Sequence, residues 1–241
     1  FGVVTDLFID PGTREIGATL DGAKAVTQTD LMPYVWVQRK NAPWGKSFKD
    51  LVNYGKANPG KLRYISYEVG SGHDLTAEIF MQQLGMKVQK IPQGTLQEAC
   101  STVGAGEGDF TVTDLATAIA NMNAGRVDVI MVLGNYVSDM FKKSNPQVVS
   151  AKEAGMPTWV TGTMLGWVVP AMVPQSHIDW LGKLLIAAAN TDLHKKRLQV
   201  YPGMTIDPKD GKTMDQIHRE IYKNSEGPIK AIGLHIDQQK K

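Results

Sequence analysis

Ser71, His73 and Asp74 place a hydroxyl, an imidazole and a carboxylate within four residues, the side-chain set of a hydrolytic relay. Their spacing argues against that chemistry. On one helical turn, positions i and i+2 point apart, so His73 faces away from Ser71. The string Val69-Gly70-Ser71-Gly72 also lacks the Gly-x-Ser-x-Gly elbow that exposes a nucleophilic serine. Ser71 and Asp74 instead have the Ser-x-x-Asp spacing of a helix-capping box. A strand over 62–66, a loop of Tyr67, Glu68, Val69, Gly70, Ser71 and Gly72, and a helix starting within a residue or two of Ser71 would aim backbone N–H groups outward at the positive end of a helix dipole. That arrangement suits an anion. The same glycines also serve a plain strand-to-helix turn.

Other chemistries find less support. His73, His177, His194, His218 and His235 show no metal-ligand spacing with one another or with Cys100, so no metal is expected. Each histidine reads as a surface or capping residue. Cys100 sits mid-helix beside Ala99 and reads as a small buried hydrophobe. No P-loop or dinucleotide fingerprint occurs, and no cofactor is expected. Five tryptophans (36, 44, 159, 167 and 180) read as core, with Trp159 as a pocket wall at a loop end.

The elements that would position these groups follow from periodicity and capping. Phe1–Thr5 reads as a short strand, and 6–30 as irregular structure with Pro-Gly and Asp-Gly turns. Tyr34–Gln38 alternates as a strand. Ser47 with Asp50, Thr95 with Glu98, Ser150 with Glu153 and Thr213 with Gln216 all have capping-box spacing, and Asp114 is placed to cap a helix that ends at Gly125. Lys87–Pro92, Asp109–Thr113, Val127–Leu133 and Met164–Pro170 read as strands. Ser176–Asn190 and the stretch carrying Leu193 and Leu198 read as helices. Strands alternating with helices of about ten residues indicate a largely parallel α/β sheet. Helix N-termini at Ser71, Thr95 and Asp114 would then gather at the strands' C-terminal edge, where open α/β sheets bind ligands.

Composition bounds the function classes. The 241 residues are 42% hydrophobic and 21% charged with a net charge of +2, which suits one large domain or two lobes and disfavours a basic nucleic-acid binder. No stretch has the roughly 18 apolar residues of a membrane span. One cysteine cannot close an internal disulfide. The first residue is Phe1 rather than Met, and residues before it, removed by processing, truncated or missing from an incomplete fragment, are expected in the native protein.

The segments YGKANPGKLRYIS (54–66), VGSGHDLTAEIF (69–80), VGAGEGDFTVTDLATAIANMNAGRVDVI (103–130), VSAKEAGMPTW (149–159) and LGWVVPAMVP (165–174) together resemble the periplasmic solute-binding proteins of tripartite tricarboxylate transporters, the Bug receptors. The likeness runs from about Gly2 to Ile232. It implies an α/β, two-lobed, periplasmic-binding-protein-like fold of type II. Residues 1–34 and 134–241 would form the first lobe and 35–133 the second, with Tyr34–Gln38 and Val127–Leu133 as crossing strands. The family's opening strand–helix–strand segment is expected to be absent from the first lobe.

The resemblance further implies a monomeric, non-enzymatic, periplasmic receptor. It would capture a small organic acid between two lobes and deliver it to the permease subunits of a tripartite transporter. A ligand sensor acting on a regulatory partner is the alternative, and an α/β enzyme the third reading. Family binding positions fall on Thr5 and Asp6 in the first lobe. In the second they fall on Ser66, Tyr67, Glu68, Gly70, Ser71 and Gly72, on Gln93 and Thr95, and on Thr113 and Asp114, with Trp159 as a wall. Three departures stand out. Glu68 replaces a usual glycine, Asp74 occupies the usual histidine position with His73 just before it, and Gln93-Gly94 replaces tyrosine and lysine. Glu68 and Asp114 would repel a carboxylate if both faced it ionised. Backbone N–H groups of Gly70, Ser71 and Gly72, with hydroxyls of Ser66, Ser71 or Thr113, are expected to hold the anion.

Overall fold

The computed structural model describes residues 2–3, 20–198 and 203–239. The chain divides into two compact units, Phe1–Met32 with Gly162–Lys241 (unit 1) and Pro33–Thr161 (unit 2).

Unit 2 is a sheet with helices between its strands. Its elements are the second part of β2 (Ala23–Arg39), α1 (Phe48–Ala57), β3 (Arg63–Tyr67), α2 (Gly72–Leu84), β4 (Gln89–Gln93), α3 (Leu96–Gly104), β5 (Phe110–Asp114), α4 (Leu115–Asn123), β6 (Val127–Val132), α5 (Asp139–Ser144) and β7 (Val149–Ser150). The strands lie in the order β4-β3-β5-β2-β6-β7. β3 runs parallel to β4 and β5, and β6 runs parallel to β7. β2 is antiparallel to both of its neighbours, with Tyr34 opposite Asp114 and Arg39 opposite Val127. The expectation of a largely parallel sheet therefore holds for unit 2, with β2 reversed.

The core of unit 2 forms around Trp36. Its ring stacks on Phe110 at 5.3 Å and on Phe80 at 6.1 Å, and meets Phe48 edge-on at 5.4 Å. Every residue of β6 is buried, as a strand covered on both faces requires. The helices start where capping chemistry places them. Ser47 and Asp50 close a reciprocal box, with both bonds at 3.1 Å. Thr95 and Asp114 cap α3 and α4. Ser150 and Glu153 also bond reciprocally, but they close only a turn.

Unit 1 contains β1 (Gly2–Val3), the first part of β2, β8 (Gly162–Pro170), α6 (Gln175–Ala189), α7 (Asp192–Leu198), β9 (Thr205–Asp210), α8 (Gly211–Ala231) and α9 (Ile236–Gln239). β1 is antiparallel to β8 and β9 is antiparallel to β2. Gly182 and Gly211 let α6 and the start of α8 press onto β2. A Cβ at 182 would lie 3.1 Å from the Val26 carbonyl, and one at 211 would clash with the Ala25 carbonyl.

Several expectations need correction. β2 runs for 17 residues from Ala23, so residues 23–30 are strand rather than irregular. Its polar run Thr27, Gln28, Thr29 and Asp30 is buried, which hides it from a hydrophobic pattern. Partners from elsewhere engage each residue of the run: Thr27 Oγ1 donates to the Lys209 carbonyl, Gln28 Nε2 to Asp207 and Thr29 Oγ1 to the Leu165 carbonyl, and Asp30 meets His194 at 2.8 Å. Periodicity does not reveal β9, because TIDPKD has only Thr205 and Ile206 as strand-favouring residues before its Asp-Pro and forms by pairing with β2. Asp210, not a Thr213–Gln216 box, caps the last long helix by accepting from Thr213 N at 2.7 Å. β6 lies inside unit 2, so it is not a crossing strand; the chain leaves unit 2 at Thr161. Residues 134–161 belong with unit 2, since β7 pairs with β6. His73, His218 and His235 are buried rather than superficial, while Trp180 is 66% exposed rather than core. Among the described residues, no helix is long and apolar enough to cross a membrane.

Candidate functional site

Three helix N-caps stand at one edge of the unit 2 sheet: Ser71 after β3, Thr95 after β4 and Asp114 at the end of β5. These strands are mutually parallel, so their C-terminal ends coincide. The register of β2 brings Tyr34 to the same edge, opposite Asp114. The anticipated gathering of helix N-termini is thus present, and Ser66, Tyr67, Glu68, Gly70, Ser71, Gly72, Gln93, Thr95, Thr113 and Asp114 all belong to it. Thr5 and Asp6 lie outside the described residues. Trp159 is half-buried and packs on the unit 2 core.

The loop between β3 and α2 is held from within by one carboxylate. Asp74 is fully buried. Its Oδ1 accepts from Ser66 Oγ at 2.8 Å and from the Tyr64 hydroxyl at 3.4 Å. Its Oδ2 accepts from Gly70 N at 2.9 Å and from Lys90 Nζ at 2.7 Å. Lys90 also pairs with Glu78 at 3.0 Å. A buried carboxylate is tolerable only with such partners, and this one has a cation and three neutral donors. Burial, with the Asp74 charge adding to it, pushes the Tyr64 phenol well above its usual range.

This network corrects the expected anion contacts. Gly70 N–H is spent on Asp74, and Ser71 N–H donates to the Glu68 carbonyl at 2.9 Å. Ser71 Oγ donates to the Tyr67 carbonyl at 3.0 Å and caps α2 by accepting from Asp74 N. Ser66 Oγ donates into this network. The loop amides shape the edge, and the array expected from sequence is already occupied at Gly70 and Ser71.

Glu68 is exposed and has φ +35°, a left-handed conformation that suits glycine. Its N–H donates to the Gln93 carbonyl at 3.2 Å, which ties the loop to the end of β4. Asp114 is turned into its own helix: Oδ1 accepts from Thr117 N at 2.7 Å and Oδ2 from Thr117 Oγ1 at 2.9 Å. Thr113 is fully buried beside the Cys100 thiol, whose pKa burial pushes up to about 12.

Ser71, His73 and Asp74 form no relay. The serine hydroxyl is engaged in capping, and neither ring nitrogen of His73 has a hydrogen-bond partner. Among the described residues, no cluster of three or more His, Cys, Asp or Glu side chains could hold a metal. Sequence reasoning misses Tyr34 and Lys90 at this edge, and reads His73 as a surface or capping residue rather than a buried one. The alternation of YVWVQ places Tyr34 in a strand, but only the register brings it beside Asp114. Nothing local announces that Lys90 reaches Asp74.

Comparison with solved structures gives the same fold at low identity. A TctC solute-binding protein from Polaromonas superposes with a TM-score of 0.81 at 18% identity, over 95% of this chain and 77% of that one. MatC from Rhodopseudomonas palustris, with bound malate, gives 0.74 at 17% identity over 95% and 78%. R. palustris Rpa4515 with adipate gives 0.77 at 17% over 95% and 76%. Among curated proteins, a UPF0065 protein of Bordetella pertussis is 30% identical over 142 residues. That match covers 58% of this chain and spans only 44% of the relative. The profile of the tripartite tricarboxylate transporter family receptor, TctC, matches residues 17–234. With an α/β solute-binding fold and a match across most of its length, the chain belongs to the tripartite tricarboxylate transporter receptor family.

Proposed function

We propose that this protein is a periplasmic receptor that binds a small carboxylate-bearing solute, hands it to the permease subunits of a tripartite transporter, and does not transform it. The carrying observation is the convergence of the N-termini of α2, α3 and α4 at one sheet edge. First-turn amides have no acceptor within their own helix, and each dipole favours negative charge nearby by about 0.3–1 kcal/mol, or up to roughly 2 when partly buried. Asp74 meets Lys90 and Asp114 is turned into α4, so both carboxylates are engaged within the protein. Malate and adipate in two structurally similar proteins support the choice of solute class.

The test is a thermal-shift screen against mono-, di- and tricarboxylates, aromatic acids and amino acids. A true ligand at 100 times its Kd should add about 2.7 kcal/mol of apparent stability. The recovered ligand should be chemically unchanged after prolonged incubation. Stabilisation by amino acids alone, or conversion of a bound acid, would overturn the reading.

A further inference from the structure

The exposed apolar side chains of unit 2 are not scattered. Among its described residues the large exposed ones are Val69 (47% exposed), Tyr136 (75%) and Met140 (83%). All three leave the edge where the N-caps gather. Val69 lies in the loop after β3. Tyr136 and Met140 follow β6, which like β5 is antiparallel to β2 and so ends at the same edge as β3, β4 and β5. At the opposite ends of these strands the connections expose polar side chains instead, such as Lys61, Lys87, Glu107 and Arg126. Single exposed apolar residues need no explanation, but their confinement to one edge marks a surface that meets something apolar.

Tyr34 joins the two loops concerned. Its carbonyl accepts from Leu133 N at 2.9 Å, so the segment carrying Tyr136 starts beside it. Its ring stacks on His73 with centroids 3.8 Å apart, and His73 meets Tyr67 edge-on at 5.5 Å, two residues before Val69. Val69 and Tyr136 therefore flank Tyr34 on the edge that α2, α3 and α4 make favourable for a carboxylate. The exposed carboxylates of Glu68 and Asp139 lie close by in sequence, and they favour hydrocarbon over further negative charge on this part of the edge.

We infer that Val69 and Tyr136 hold the hydrocarbon body of the solute, so the receptor selects carboxylates carried on a longer apolar chain over short ones. This inference rests on the receptor function proposed above and narrows its solute class.

Succinate and adipate, which differ only by two methylenes, are the probes. Calorimetry on the wild-type protein should show adipate bound about ten-fold tighter, since each buried methylene contributes roughly a factor of four and chain ordering removes part of it. Joint substitution of Val69→Ser and Tyr136→Ser should lower that ratio to about three or less. Its melting temperature without ligand should stay level, because both side chains are exposed. If the double variant melts lower, Tyr136→Ser alone carries the comparison. An unchanged ratio in the variant used would overturn the inference, as would adipate bound no tighter than succinate by the wild-type protein. So would sedimentation of the wild-type protein as a dimer that the double variant dissociates with the ratio unchanged, which would assign the patch to a second copy. Receptor function and this contact fail separately. A wild-type protein that binds no carboxylate removes both, whereas equal binding of the two acids removes only the apolar contact.

Discussion

Glu68 shows how one backbone angle explains an unusual residue. Its φ of +35° lies where a Cβ crowds the following carbonyl, at a cost of about 1–2 kcal/mol. Glycine removes that strain but loses more freedom on folding, by roughly 0.5–1 kcal/mol. Glu68→Gly should therefore raise stability by up to about 1 kcal/mol, read as a higher denaturation midpoint with an unchanged m-value. A loss of stability would show that the interactions Glu68 makes outweigh the strain of its backbone angle. Gly70→Val should damage the loop for the same kind of reason. Its φ is +84°, and no atom stands within 4 Å of the missing Cβ, so backbone strain rather than crowding is the cause. Asp74→Asn should cost about 3–5 kcal/mol, because Lys90 loses a buried counter-charge and the ties of Ser66 and Gly70 weaken together. Chemical denaturation of that variant beside Lys90→Met would separate loss of the charge pair from loss of the loop.

At the scale of elements, capping decides where helices begin. Asp210→Ala should destabilise the protein by about 1 kcal/mol, whereas removing the Thr213 hydroxyl, which only adds a second bond to the Asp210 carboxylate, should cost less. Equal losses would restore Thr213 as the cap. The buried histidines give the elements that carry them a pH dependence. Burial lowers the His218 pKa to about 4 and that of His73 to about 3. Between these values and the ordinary value of 6.5, the unfolded chain binds protons that the folded chain refuses. Stability therefore rises with pH across that window and falls on acidification, by up to one proton per histidine in slope. His73→Phe should flatten this dependence between about pH 6.5 and pH 3, as measured by unfolding midpoints at several pH values. A steeper dependence in that variant would contradict the assignment.

For the whole molecule, the large aromatic core and the proposed binding edge both lie in unit 2. Trp36 lies at its centre, and Trp36→Ala should cost about 3–5 kcal/mol, since three aromatic contacts disappear and a large cavity remains. Calorimetric unfolding of that variant should show the loss in unit 2, and ligand should recover part of it by mass action if the solute binds at this edge.

Much of this is legible in the chain itself, because the signals are local. Strand alternation at YVWVQ, the buried run VDVIMV, the boxes at Ser47 and Thr95 and the cap at Asp114 each depend on neighbours a few residues away. So does the strand–loop–helix order that collects three N-termini at one edge. Tertiary structure alone decided the rest. Polar residues 27–30 became strand because distant carbonyls, a carboxylate and His194 engage them. TIDPKD became strand because β2 offers it a ladder. The loop amides at Gly70 and Ser71, free by sequence reasoning, were consumed at the moment Asp74 and Glu68 folded over them. His73 acquired its character from Tyr34, far away in sequence, whose ring covers it and excludes the water that would have satisfied its nitrogens. A hydrogen bond or a desolvated ring depends on which group arrives across space, and sequence spacing carries no record of that.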